Sequence, residues 1–204
     1  MGRTELLLVA SAIAAVLFLL TRRRAPYPGS ALIKALACTL LAVAAWPEQP
    51  LLSLALAASA LGDWFLGRPG ERQFLRGLVA FFLAHLVYIG IFAQAWAPTA
   101  AAPWGGAVMV AAGVGLAVWL LPDLGRLRVP VLAYMVAIVA MAVSALASAY
   151  PAGLLLPGVL LFLFSDGCIA VRRFKRDFAW SGEITWITYY AGQVLIFLAL
   201  GGAV

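Results

Sequence analysis

The chain has 204 residues, of which 65% are hydrophobic and only 11% are charged. Because ordinary soluble domains carry about 25% charged residues, this composition excludes a water-soluble globular protein and predicts an integral membrane protein. The net charge of +6 does not indicate a nucleic-acid partner, since the basic residues form short clusters between apolar runs. Cys38 and Cys168 lie far apart inside such runs, which favours buried packing over a disulfide or a zinc site.

Apolar runs separated by proline, glycine and charged residues predict an all-α fold. We expect a polytopic membrane protein with a bundle of about eight transmembrane helices in a single integral membrane domain, residues 1–204. The first run is followed directly by three arginines without a small-residue cleavage site, which indicates a retained span and not a signal peptide. The predicted spans are residues 5–20, 30–46, 51–66, 74–96, 104–121, 129–149, 153–171 and 184–203. Prolines mark many of the breaks, among them Pro26, Pro47, Pro50, Pro69, Pro122 and Pro151.

The loops predict the orientation of these spans. Basic clusters follow the first, third, fifth and seventh spans, whereas the connections after even-numbered spans hold none. The positive-inside rule then predicts that both termini are extracytoplasmic and that the basic loops lie in the cytosol, as in a bacterial inner membrane. The clustered residues are Arg22, Arg23, Arg24, Arg68, Arg72, Arg76, Arg126, Arg128, Arg172, Arg173, Lys175 and Arg176.

Two acidic residues lie near the ends of long apolar runs, Asp63 in the third span and Asp166 in the seventh. An aspartate at the centre of a membrane helix costs roughly 2.5–3.5 kcal/mol, and two of them at matched depth favour a function over a purely structural role. The alternative is that each carboxylate only reaches the interface or pairs with a loop arginine. Their similar settings also permit an internal duplication into four-helix halves, about 1–102 and 103–204, although alanine- and leucine-rich helices resemble each other by chance.

With this orientation, most polar side chains inside the spans are predicted in the cytosolic half of the bilayer. Asp63 and Asp166 lie five and six residues before the next basic loop, which is roughly 7–9 Å at about 1.5 Å per residue. Snorkelling, interhelical hydrogen bonds and the interfacial aromatic belt are the structural alternatives for the residues around them. Those residues are Lys34, His85, Tyr88, Tyr189, Tyr190 and Gln193.

A pair of carboxyl groups at one depth predicts acid–base chemistry. Two neighbouring carboxyl groups in apolar surroundings do not ionise together, so one can donate a proton while the other activates water. Lys34 and the basic loops would hold a phosphate or stabilise the ionised acid. One histidine and two distant cysteines supply too few ligands for a zinc hydrolase, and a serine nucleophile motif is missing, so we predict no metal and no cofactor.

Several short motifs occur in a definite order along the chain: Gly62-Asp63-Trp64-Phe65-Leu66, Gly77 through Phe81, Ala84-His85-Leu86-Val87-Tyr88, Tyr134 with Met141, Ser165-Asp166 and Tyr189-Tyr190-Ala191-Gly192-Gln193. Together they resemble the YhhN/TMEM86 family, from about Lys34 to Gln193. The resemblance implies eight spans and a lysoplasmalogenase, which hydrolyses the vinyl ether bond of a lysoplasmalogen to a fatty aldehyde and glycerophosphoethanolamine or glycerophosphocholine. It further implies that Asp63 and Asp166 are catalytic and that Arg68, Arg172 or Lys34 faces the lipid phosphate. Where the family often has proline after the lysine of span two, this chain has Ala35.

Two other classes of function remain open from the residues alone. A proton-coupled transporter or lipid-handling protein would also carry acids inside the membrane. An intramembrane aspartyl protease ranks last, because Ala60 stands where the GxGD pattern of such proteases requires glycine. The partners we predict are a lyso-ether lipid and the surrounding membrane lipids.

Overall fold

The computed structural model describes residues 2–46 and 48–201, and across these residues the chain is helical with no strand. This confirms the predicted all-α class. Pro47 and the last two positions of the eighth predicted span lie outside the described residues. The eight α-helices of the described residues are α1 (Arg3–Thr21), α2 (Ser30–Ala45), α3 (Pro50–Leu66), α4 (Glu71–Gln94), α5 (Ala102–Leu120), α6 (Arg128–Leu146), α7 (Ala152–Phe174) and α8 (Ser181–Gly201).

Each helix overlaps one predicted span, but several ends differ. Helix α4 begins at Glu71, three residues before the predicted start, and α7 continues through Arg172 and Arg173 to Phe174. Charged residues end an apolar run without ending a helix. An acidic residue in the first turn and basic residues in the last turn both interact favourably with the helix dipole, so these helices extend past the apolar run.

Within the described residues, six helices are long and apolar enough to cross a membrane. They are α4, α7 and α8, together with α1, α5 and α6 when the short helical turns next to these three are included. Helices α2 and α3 are apolar but have only 16 and 17 residues, below the length of about 20 that a full crossing needs. The chain is therefore an integral multi-pass membrane protein with six candidate spans. The count of eight spans and the orientation of the termini stay predictions.

The chain divides into two compact units, residues 1–88 and 89–204. In the first unit α1 packs on α2, and α2 packs on α3. The hydroxyl of Ser11 on α1 donates a hydrogen bond of 2.7 Å to the carbonyl of Ala37 on α2. Gly67, directly after α3, lies so close to α2 that an added Cβ would be 2.8 Å from the Cβ of Ala31. Small side chains thus allow the backbones of α2 and α3 to approach each other.

In the second unit α5 packs on α6, α6 on α7, and α7 on α8. The last contact is the tightest, because two glycines meet there. A Cβ added to Gly192 on α8 would lie 2.8 Å from the carbonyl oxygen of Gly158 and 3.0 Å from the backbone nitrogen of Phe162, both on α7. These are backbone atoms, so only glycine fits at position 192 without a shift of one helix.

Helix α5 leaves most of its apolar side chains exposed. Trp104 near its start is 78% exposed, Val118 near its end is 65% exposed, and Trp119 is also exposed. In water such a surface would be an aggregation site, whereas in a bilayer it is the surface that contacts lipid.

Candidate functional site

Asp63 on α3 is the most deeply buried acidic residue described, with 1% of its side chain exposed. Its Oδ1 lies 3.1 Å from the Nζ of Lys34 on α2, and the lysine side chain is 15% exposed. Gly67 is one turn after Asp63, and Ala31 is one turn before Lys34. The close approach of that small pair therefore brings the lysine within reach of the carboxylate.

Helix α4 packs against the glycine that precedes Asp63. The ring of Phe81 covers Gly62, where an added Cβ would lie 2.5 Å from the ring. The backbone carbonyl of Phe81 accepts a hydrogen bond of 2.5 Å from Nδ1 of His85, and since a carbonyl only accepts, Nδ1 carries the hydrogen. His85 and Tyr88 are both fully buried. The histidine ring is thus oriented by the preceding turn of its own helix.

Asp166 on α7 is half-buried and interacts with a different helix and a different chemical group. Its Oδ2 accepts a hydrogen bond of 2.5 Å from the hydroxyl of Tyr134 on α6, and the tyrosine is buried. The neighbouring Ser165 donates instead to the backbone carbonyl of Thr185 on α8, at 3.0 Å. The Ser165 hydroxyl thus fastens α7 to α8, and the carboxyl group of Asp166 contacts α6.

The polar residues of α8 differ in their surroundings. Tyr189 is buried, with its ring edge-on to Phe162 at a centroid distance of 5.4 Å. Tyr190 is half-buried and stacks on Trp186 at 6.1 Å, while Gln193 is fully buried. Tyr189 is therefore part of the packing between α7 and α8, and the interfacial-belt alternative does not hold for it.

The two arginines predicted to face a lipid phosphate have partners close to their own helix ends. The guanidinium carbon of Arg68 lies 3.7 Å from the centroid of the Trp64 ring, one turn earlier in the chain. The Nε of Arg172 lies 3.6 Å from Oδ1 of Asp177 in the loop after α7. Both arginines are therefore held at the ends of α3 and α7, the two helices that carry the aspartates.

Sequence reasoning missed a second lysine–carboxylate pair, which lies outside the α-helices. The ammonium group of Lys175, directly after α7, pairs with the carboxylate of Asp123 and lies 4.9 Å from the centroid of the Trp119 ring on α5. Trp119 and Asp123 are about one helical turn apart, but Lys175 is distant from both in sequence, and no spacing rule connects it to them. Only the packing of α7 with α5 brings Lys175 next to the other two residues.

The hydrogen bond to Asp166 gives a direct prediction. We expect Tyr134→Phe to lower the turnover of the activity proposed below by about 10- to 100-fold, because a hydrogen bond to a charged group is worth roughly 1.5–3 kcal/mol. The measurement is the initial rate in detergent together with thermal unfolding. Tyr27→Phe is the matched control, since its hydroxyl lies 2.7 Å from another hydroxyl group, that of Thr21, and not from a carboxyl group. Equal rates for the two variants would contradict a role for Tyr134.

The fold and these contacts define a class, that of multi-pass helical membrane proteins with carboxyl groups held inside their apolar helices. The YhhN family model matches residues 29–200, and the chain belongs to the YhhN family, which confirms the predicted resemblance.

The proteins to which the chain is similar in sequence include bacterial and mammalian ones. A lysoplasmalogenase of Mycobacterium bovis is 37% identical over 155 residues, which cover 73% of this chain and 59% of that protein. Lysoplasmalogenase TMEM86B of Homo sapiens is 34% identical over 176 residues, or 83% of this chain and 74% of that protein. The chain thus spans about 59% of the length of the mycobacterial relatives that it matches. No solved structure matches it.

Proposed function

We propose that the chain is a membrane-embedded lysoplasmalogenase-like hydrolase. It would cleave the vinyl ether bond of a lysoplasmalogen to a fatty aldehyde and glycerophosphoethanolamine or glycerophosphocholine. The observation that carries this proposal is membership of the YhhN family together with similarity to relatives named lysoplasmalogenase. Asp63 and Asp166, both within its apolar helices, supply the groups for general acid–base catalysis.

The reaction needs one proton donor and one base. Protonation of the β-carbon of the vinyl ether leaves an oxocarbenium-like cation, which a carboxylate stabilises. Water then adds to the cationic carbon, and the hemiacetal breaks down to the aldehyde and the glycerol hydroxyl. Two carboxyl groups, Asp63 and Asp166, are sufficient for these proton transfers.

The remaining polar residues have supporting roles in this proposal. Arg68 and Arg172, at the ends of α3 and α7, would bind the phosphate of the lysolipid, and the alkenyl chain of the lipid would lie among the helices. The active site would face the cytosolic leaflet of a bacterial inner membrane, because the basic loops follow these two helices. Five further side chains would bind the substrate or support the helices that carry the two aspartates. These residues are His85, Tyr88, Ser165, Tyr190 and Gln193.

The test uses two lipids that differ in one bond. Purified protein in detergent receives a lysolipid with a vinyl ether and its saturated alkyl-ether analogue, and aldehyde is measured. We expect aldehyde from the vinyl ether alone, since only that bond can be cleaved by protonation of carbon. A transporter or lipid-handling protein would give no product in detergent and would move the lipid across sealed vesicles, and that pair of results would overturn the proposal.

A further inference from the structure

The two aspartates differ in the chemistry of their partners. Asp63 has the ammonium group of Lys34 at 3.1 Å, and Asp166 has the hydroxyl of Tyr134 at 2.5 Å. These contacts lie on separate pairs of helices, α2 with α3 and α6 with α7. Each pair can therefore be interpreted independently of the other.

An ammonium group and a phenol constrain a carboxyl group in different ways. An ammonium has three donors, no acceptor and a full positive charge, so it favours the ionised carboxylate over the neutral acid. If Asp63 were protonated, the largely buried ammonium of Lys34 would lose its counter-charge. A phenol both donates and accepts, so Tyr134 can remain bound to Asp166 in either protonation state.

We propose that Lys34 is a positioning residue that keeps Asp63 as a carboxylate, so that Asp63 activates water while Asp166 donates the proton to carbon. This assignment rests on the proposed function. Of the two roles that the sequence left open for Lys34, the assignment chooses stabilisation of the ionised acid over binding of the lipid phosphate, because the ammonium group lies 3.1 Å from the Asp63 carboxylate.

The proton transfers balance over one turnover. The carboxyl group of Asp166 gives its proton to the β-carbon, a C–H bond forms, and the π electrons leave a cation stabilised by the ether oxygen. The Asp63 carboxylate removes a proton from water as the water oxygen bonds to that cation. In the hemiacetal, Asp166 takes the hydroxyl proton, the C–O bond to glycerol breaks, and Asp63 protonates the departing oxygen. Both residues then return to their starting states.

Steady-state kinetics of lysine variants test the role of Lys34. We expect Lys34→Met to lower kcat by about 10- to 100-fold at an unchanged KM, and Lys34→Arg to retain most of the rate because the charge is kept. Lys175→Met is the matched control, since Lys175 also pairs with a carboxylate, Asp123, but outside the α-helices. A raised KM with an unchanged kcat for Lys34→Met would overturn the assignment and make Lys34 the phosphate ligand.

Lys34→Met leaves Asp63 charged without its lysine partner inside the protein, and such a variant can fail to fold. The double variant Lys34→Met/Asp63→Asn removes both charges, and we expect it to recover the thermal stability that Lys34→Met loses. If both variants unfold alike, the ion pair is not the source of the loss. The kinetics of Lys34→Arg remain measurable in either case.

Deuterium exchange separates the two aspartates. In D2O, Asp63→Asn retains the proton donor but lacks the base, so reversible protonation should place deuterium on the β-carbon of recovered substrate, detected by mass spectrometry. Asp166→Asn should show no such exchange. Exchange in Asp166→Asn only, or in neither variant, would overturn the assignment. The wild-type protein making no aldehyde would instead overturn the proposed function itself.

Discussion

Replacing either aspartate by asparagine is expected to lower the rate of aldehyde formation by roughly 10²–10⁴-fold, the usual contribution of a general acid or base. Asparagine keeps the shape of the side chain but neither donates a proton to carbon nor accepts one from water. Asp63→Asn also removes the counter-charge of Lys34, and Asp166→Asn keeps an oxygen that can accept from Tyr134. The measurement is the initial rate with a vinyl-ether lysolipid in detergent.

Asp123→Asn is the matched control for this pair. Asp123 also has a lysine partner, Lys175, but it lies in the connection between α5 and α6 and not in a long apolar helix. We expect its rate to remain within about twofold of wild type, because changes outside the reacting groups seldom move the chemical step. Full activity in both Asp63→Asn and Asp166→Asn would rule out acid–base catalysis by these residues.

The second large effect concerns the crossing of α7 and α8. We expect Gly192→Ala to lower the free energy of unfolding by about 1–3 kcal/mol, the usual cost of overpacking, and Gly192→Leu to prevent recovery of folded protein. The added atoms would meet the carbonyl of Gly158 and the backbone nitrogen of Phe162, which cannot rotate away as a side chain would. Thermal unfolding in detergent, followed by tryptophan fluorescence, measures the loss.

Gly115→Ala provides the comparison. Gly115 is also inside a helix, α5, but nothing lies within 4 Å of the position that its Cβ would take. Alanine has the higher helix propensity, so we expect this variant to be as stable as wild type or more stable by up to about 1 kcal/mol. Equal stability of Gly192→Ala and Gly115→Ala would contradict the tight crossing.

Much of the architecture follows from the order of apolar and polar residues. Proline, glycine and charge clusters separate the apolar runs, and each of the eight runs overlaps one helix. The helix ends were less predictable, because Glu71, Arg172 and Arg173 are charged yet remain helical. The length of α2 and α3 is a further difference, since an apolar run need not be long enough to cross a membrane.

Contacts within the candidate site were predictable to different degrees. Lys34 and Asp63 were placed at one depth from the loop charges alone, and their helices are neighbours in sequence, so their ion pair agrees with that expectation. The contact of Tyr134 with Asp166 depends on how α6 and α7 rotate about their axes, which apolar patterning does not fix. Only the family resemblance singled out Tyr134.

Helix α5 presents Trp104 and Val118 outward, and this surface has a consequence for enzymology. The proposed enzyme, surrounded by lipid on such a face, would receive its single-chain ether lipid by lateral diffusion, in two dimensions. Its velocity then follows the mole fraction of substrate in the mixed micelle or membrane and not the bulk molarity. Adding inert detergent at constant total substrate would slow the reaction even though nothing has bound to the protein.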